Sequence, residues 1–144
     1  MKKIMTMLVI LTLSLTACAD RHQLIEVSEL PTQAQAFIQK HFHISDVAYT
    51  EREREGMHYE YNVHLKNNTE IDFDNRGNLQ SVDCQSSPVP EGIIPELIAT
   101  FITLHHPNSF VTEYTIGYRH ITIELNSGLE LIFDLEGHFL RTDD

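Results

Sequence analysis

Cysteine is scarce in this chain, and so is positive charge. Cys18 and Cys84 are the two cysteines in 144 residues. Cys18 falls at the end of an N-terminal leader, so the body of the chain keeps one. An intrachain disulfide is excluded there, and with it the stapled scaffold of many small exported domains. Lys and Arg number 10 against 21 Asp and Glu, a formal net charge of −11. Taking away Lys2 and Lys3 with the leader leaves 8 basic residues (10 − 2) against 21 acidic ones, or −13. A field of that sign disfavours nucleic acid and anionic membrane, and suits cations or a basic protein surface. No apolar run approaches the roughly 20 residues of a permanent membrane helix. Gly-x-Ser-x-Gly, His-Glu-x-x-His, Cys-x-x-Cys and a glycine-rich phosphate loop are all missing, which lowers the case for an enzyme.

What is present begins with an address. Lys2 and Lys3 precede a short apolar run over residues 4–15, the layout of a secretory signal. Its end reads in two ways. Leu15-Thr16-Ala17-Cys18 matches a lipobox, with cleavage before an acylated Cys18. Ala17-Cys18-Ala19 also fits ordinary cleavage after Ala19. The Leu and Cys at the two ends of the box favour the first. Residues 1–19 are therefore expected to be a signal peptide. The expected location is the periplasm, or the outer membrane through a lipid on Cys18. About 125 residues remain, enough for one hydrophobic core. Cys84 reads as a small, partly buried residue rather than a reactive thiol.

The body of the chain repeats itself. TEIDFDNRGNLQSVD (69–83) returns as LELIFDLEGHFLRTD (129–143), and LPTQAQAFIQKHF (30–42) lines up with IPELIATFITLHH (94–106). Apolar residues at 30, 34, 37 and 38, and at 94, 98, 101 and 102, make one helical stripe each. Pro31 and Pro95 suit a first helical turn. Alternation at Tyr59, Tyr61, Val63 and Leu65, and at Ile121, Ile123 and Leu125, predicts strands covered on one face. Asn67-Asn68 and Ser127-Gly128 are expected as two-residue hairpin turns. Asp74-x-x-Gly77 and Asp134-x-x-Gly137 make further tight turns. The helices align at an offset of 64 residues and the hairpins at 60, so four extra residues fall in Thr50 to Gly56, a charged hairpin tip. The expected fold is α+β: two tandem similar sub-domains (27–84 and 91–144, linker 85–90), each an amphipathic helix and antiparallel hairpins, with helices on one face of the sheet.

The pattern LP-x₅-F-I-x-x-H-F, then Y-x-V-x-L-x-N-x-x-E-I-x-F-D-x-x-G, then a second such unit, resembles the PepSY-like, beta-lactamase-inhibitor-like exported proteins of Bacteroidetes. The resemblance spans nearly the whole body of the chain and rests on structural motifs. It implies helices packed on one face of an antiparallel sheet, and a module that binds and restrains an enzyme such as a peptidase. It carries over no catalytic residue.

Candidate functional residues follow from the strand alternation. Glu60, Asn62, His64, Glu70, Asp72, His120, Thr122, Glu124, Glu130 and Ile132 are expected to point away from the helices, forming an open sheet face for a protein partner. His64 and His120 are expected near Glu124 and Glu60. An alternative uses Asp72, Asp74 and Asp83 as carboxylate ligands of calcium, although Arg76 and Ile132 fit that pattern badly. The nine histidines lack convergent metal spacing, and His41 and His105 read as packing at helix C-termini. The expected function is a non-enzymatic binding or inhibitory module of the cell envelope with an acidic sheet face and no cofactor. The alternative is a calcium-responsive periplasmic protein, and a third reading is an unrecognised hydrolase with His and Asp converging in a pocket.

Overall fold

Stretches in which every second residue is apolar form strands here, and antiparallel pairing spreads from them across the molecule. The computed structural model describes residues 21–143. The expected leader and Cys18 lie outside the described residues. In chain order the elements are β1 (His22–Ile25), α1 (Thr32–His41), β2 (Val47–Glu55), β3 (His58–Leu65), β4 (Glu70–Phe73) and β5 (Leu79–Asp83). Then come α2 (Glu96–His105), β6 (Val111–Ile116), β7 (Ile121–Leu125), β8 (Glu130–Phe133) and β9 (Phe139–Asp143). The nine strands form one antiparallel sheet in sequence order. A run of one helix and four strands thus occurs twice, and β5 pairs with β6 to join the runs.

Register explains the core. Ile71, Val82, Tyr114, Ile123 and Leu131 are successive cross-strand partners from β4 to β8. All five are buried. This inner row crosses the join without a break, so the runs share one core cluster. Each helix lays its apolar stripe on that face. Ala34 and Ile38 of α1, and Ile98 and Ile102 of α2, are buried. Phe37 meets Phe73 edge-on at 5.6 Å, and Phe101 meets Phe133 at 5.4 Å. Fully burying a side chain of this size stabilises by about 1.5–3 kcal/mol. Pro31 and Pro95 occupy the N-cap positions, just ahead of the first turn, where a missing N–H costs nothing.

Three local expectations are corrected. The hairpin turns after β3 and β7 hold three residues rather than two. Asn68 N–H donates to Leu65 O while Leu65 N–H donates to Thr69 O, and Gly128 and Leu125 do the same with Leu125 and Leu129. Asn68 closes its turn in the left-handed region (φ 66°), which asparagine tolerates. The Thr50 to Gly56 stretch is strand up to Glu55, and the turn itself is Gly56-Met57. The extra length extends β2 and β3 beyond the core, leaving Tyr59 42% exposed where an inward position was expected. An edge strand, β1, lies ahead of the first helix, and Thr50 Oγ1 donates to Ile25 O across that pair. The 85–90 segment turns back along β6, with Val89 N–H donating to Val111 O.

Two glycines set the helix spacing. A Cβ on Gly77 (φ +85°) would lie 2.8 Å from Pro31 Cβ and 2.9 Å from Ala34 N, so the β4–β5 turn docks directly on α1. Gly137 (φ +91°) has more room, with Leu97 and Ile98 at 3.5 Å. Gly77→Ala is expected to destabilise by roughly 2–4 kcal/mol, and Gly137→Ala by roughly 1–2 kcal/mol, because only the first adds a backbone clash to the left-handed strain. Denaturant melts of both variants check this; equal losses would contradict it.

Candidate functional site

The face of the sheet opposite the helices is built by the same period of two. Following register, His64, Glu70, Asp83, Glu113, Glu124, Glu130 and Asp143 are successive partners from β3 to β9. Six carboxylates in a row therefore cross the join. Neighbouring strands lie about 4.8 Å apart, and like charges directly opposed across strands are unfavourable. A parallel row reads Glu51, Asn62, Asp72, Ser81, Thr115, Thr122, Ile132 and Arg141, and Glu53 faces Glu60 beyond it.

His64 heads the carboxylate row. Its ring stacks on Tyr49 at 4.3 Å, with Nε2 3.6 Å from Glu51 and Nδ1 3.5 Å from Glu70. These partners replace the expected Glu124, which lies four strands away. At the other end Arg141 forks onto Asp143 through Nε and an Nη, at 3.0 and 3.1 Å. In the middle, Glu113 is pushed above the usual carboxylate range. Burial is the largest cause; a hydrogen bond from Thr115 opposes it, and the charges of Asp83, Glu124 and Glu130 add to it.

Glu70, Glu124, Glu130 and His64 lie in the acidic row, Asn62, Asp72 and Thr122 beside it, and Glu60 beyond. Two expected members differ. His120 precedes β7 in the tight turn, where its carbonyl accepts from Gly117 N–H, because β6 and β7 end their pairing at Ile116 and Ile121. Ile132 is 3% exposed: on a strand with neighbours on both sides, flanked by Thr122 and the long Arg141, it offers no apolar contact. Glu113, Glu51 and Asp143 went unread. The alternation Glu51-Arg52-Glu53-Arg54-Glu55 was the available signal for β2, but no strand was expected over Val111–Ile116.

The expected calcium ligands serve the fold. Asp74 Oδ1 accepts from Arg76 and Asn78 N–H, and Oδ2 from Asn78 Nδ2, all at 2.8 Å. Slight burial raises its pKa, and these bonds outweigh that and lower it. Asp72 accepts from Asn62 Nδ2 and Ser81 Oγ, and Asp83 from Gln85 N–H and Nε2. Among the described residues no three His, Cys, Asp or Glu side chains gather closely enough to hold a metal ion. His41 and His105 lie against Phe37 and Phe101, at 4.7 and 4.3 Å, in the last helical turns. Cys84 is buried, and burial raises its pKa, so little reactive thiolate forms. Two shallow hollows, of about 330 and 400 Å³, are lined mostly by apolar residues, and neither combines a His with an Asp.

The raised pKa of Glu113 gives a signed expectation. A carboxyl that holds its proton more tightly when folded adds stability below its unfolded pKa, and loses it as pH rises through the folded value. At pH 7 the charge is a net cost. Glu113→Gln is expected to raise Tm at pH 7 by roughly 1–4 °C, from a cross-strand repulsion of about 0.2–1 kcal/mol. The gain should vanish near pH 4, and thermal melts across pH 4–7 test it.

Comparison with known proteins bears on this face. No curated protein matches the chain. Two structures from Bacteroides vulgatus are alike in fold. One, a "putative periplasmic protein" of the DUF2874 family, has a TM-score of 0.82 and 28% identity, over 88% of this chain and 99% of that one. The other, a "putative periplasmic protein of unknown function", has a TM-score of 0.78 and 28% identity, over 85% and 99%. A "putative calcium-regulated periplasmic protein" from Bacteroides thetaiotaomicron has a TM-score of 0.81 and 32% identity, over 88% and 99%. The family model described as "Putative beta-lactamase-inhibitor-like, PepSY-like" matches residues 59–141, which hold most of β3, all of β4–β8 and most of β9. The chain belongs to this PepSY-like family.

Proposed function

We propose that this protein is an exported, non-enzymatic binding module of the periplasm that presents its acidic sheet face to a basic surface on a protein partner, such as an envelope peptidase. The observation that carries the reading is the row of six carboxylates from Glu70 to Asp143, which crosses both runs and, among the described residues, is relieved by a fixed cation only at its Arg141 end. Opposed like charges cost stability, so a complementary surface gains by neutralising them. The inhibitor-like family and the periplasmic neighbours support the binding role and the address. We read the two runs as tandem units of one design, supported by the paired Asp-x-x-Gly turns, N-cap prolines and helix aromatics. A lipid on Cys18 would tether the module and leave the face free.

One relative favours a second reading, a calcium-responsive protein. Asp72 and Asp74 are engaged by the fold and no three ligands are gathered among the described residues, so a calcium response would need the ion to draw Asp83 and its neighbours in the row together.

The first test is capture from an envelope extract at low salt, with wild-type and Glu70→Lys/Glu124→Lys/Glu130→Lys baits of matched Tm. A partner enriched by the wild type and lost at least about tenfold by the variant or by raised salt is expected. Equal capture by both baits would sink the sheet-face reading. For the second reading, Tm is compared in chelator and in millimolar calcium: an increase lost in the same variant supports it, and no change removes it.

A further inference from the structure

The β2–β3 hairpin outgrows the core, and its overhang carries a cluster of cations that the acidic face does not explain. Register fixes which side chains share a side there. Thr50 is buried on the helix side, opposite Ile25 and Val63. Steps of two along β2 put Arg52 and Arg54 on that same side, with Tyr61 and Tyr59 as their β3 partners. Gln23 faces Arg52 from β1, and Arg21, whose carbonyl accepts from Arg54 N–H, continues the row. Arg52 Nη2 donates to Gln23 Oε1 at 2.6 Å, and its guanidinium lies 4.8 Å over the Tyr59 ring. Glu53, Glu55 and Glu60 alternate onto the other side.

Three of the eight basic residues outside the leader therefore meet on one side of one hairpin, in a strongly acidic chain. Arg21 and Arg54 stand opposite each other, which like charges disfavour. Among the described residues no carboxylate pairs with any of the three, and Arg52 Nε is buried without a partner. The fold itself does not require them. The second run has Ile116 and Ile121 where the first has Arg52 and Tyr61, and its hairpin closes just beyond. Past the arginines the tip exposes Met57 at 93% and Tyr59 at 42%. Cations, a tyrosine and an exposed apolar side chain together suit the interface between membrane and water. Cys18 stands three residues ahead of Arg21. A lipid on Cys18 would thus hold the overhang within roughly 11 Å of the anchor, the reach of three extended residues.

We propose that this hairpin docks on the membrane to which Cys18 is tethered, with Arg21, Arg52 and Arg54 against phospholipid phosphates and Met57 and Tyr59 in the interface. The inference rests on the lipid at Cys18. Guanidinium groups match phosphate oxygens in charge and geometry. The acidic body repels an anionic surface, but salt screens that field beyond about 8 Å, so the charges at the contact decide. The carboxylate row lies on the other face of the sheet and stays free for a partner.

The full-length protein, expressed with its leader and purified in mature form, is reconstituted in vesicles of phosphatidylethanolamine and phosphatidylglycerol. Mass spectrometry reads the acyl group on Cys18. A fluorophore is placed at Met57→Cys, or at Ser127→Cys in a turn at the opposite end of the sheet, and quenched by nitroxide on the lipid headgroups. Quenching at position 57 is expected to exceed that at 127 at least about threefold. Arg21→Gln/Arg54→Gln, both at exposed positions, is expected to lower it at least about twofold with Tm unchanged. An acylated protein quenched equally at the two positions would overturn the docking and leave the tether intact. A mature chain without the acyl group would remove the tether, and the docking with it. Quenching unmoved by the arginine variant would overturn the role given to the cations.

Discussion

Three ladder pairs join the two halves of the sheet: Ser81 with Thr115, Val82 with Tyr114 and Asp83 with Glu113. Everything else about the sheet depends on that short join of β5 to β6. On the helix side, Val82 and Tyr114 carry the buried inner row across the seam. That continuity turns two small helix-plus-hairpin layers, each poor in core, into one layer with a single core. On the other side the same pairs bring Asp83 against Glu113, and two short acidic rows become one long one. Because the pleat alternates strictly, a register that buries Val82 has no freedom to separate its acidic neighbours.

The open face is therefore both a cost and a resource. Burial and neighbouring charge hold the Glu113 proton more tightly than water would, a local sign of the repulsion along the row. The fold compensates unevenly. Arg141 balances Asp143 at one end, and His64 sits between Glu51 and Glu70 at the other, able to carry charge only when protonated. The centre has no such relief among the described side chains, which concentrates negative potential where the runs meet. A surface of this kind contributes more to steering and selection of a basic partner than to raw affinity.

The two edges of the sheet are finished differently. At one end β1 is short, pairs with the extended β2 and carries His22 beside Glu53 at 3.4 Å. Charge and brevity are common means of keeping an edge unpaired. At the other end β9 has Phe139 and Leu140 exposed and lies beside the leucine stripe of α2. The exposed leucines are local to the second run, since the first has Gln33, Lys40, Asn75 and Gln80 where the second has Leu97, Leu104, Leu135 and Leu140.

Much of this was legible before any coordinates. Local rules decide helices, turns and strand faces, because they depend on residues a few positions apart. The apolar spacing of 34, 37 and 38 marked α1, and Asp74-x-x-Gly77 marked a turn whose carboxylate caps its own backbone. The alternation from Glu60 to Leu65 named the outward residues of β3 correctly. Only the tertiary structure decided which outward residues meet. His64 met Glu51 and Glu70 rather than Glu124, Ile132 lost its exposure between Thr122 and Arg141, and Glu113 took the centre of a row in which it had not been suspected. The reason is physical: the period of two assigns a face from the chain alone, but neighbours on that face come from pairing between strands far apart in sequence. Here that pairing runs through the β5–β6 seam, for which no stretch of sequence carries a local signal.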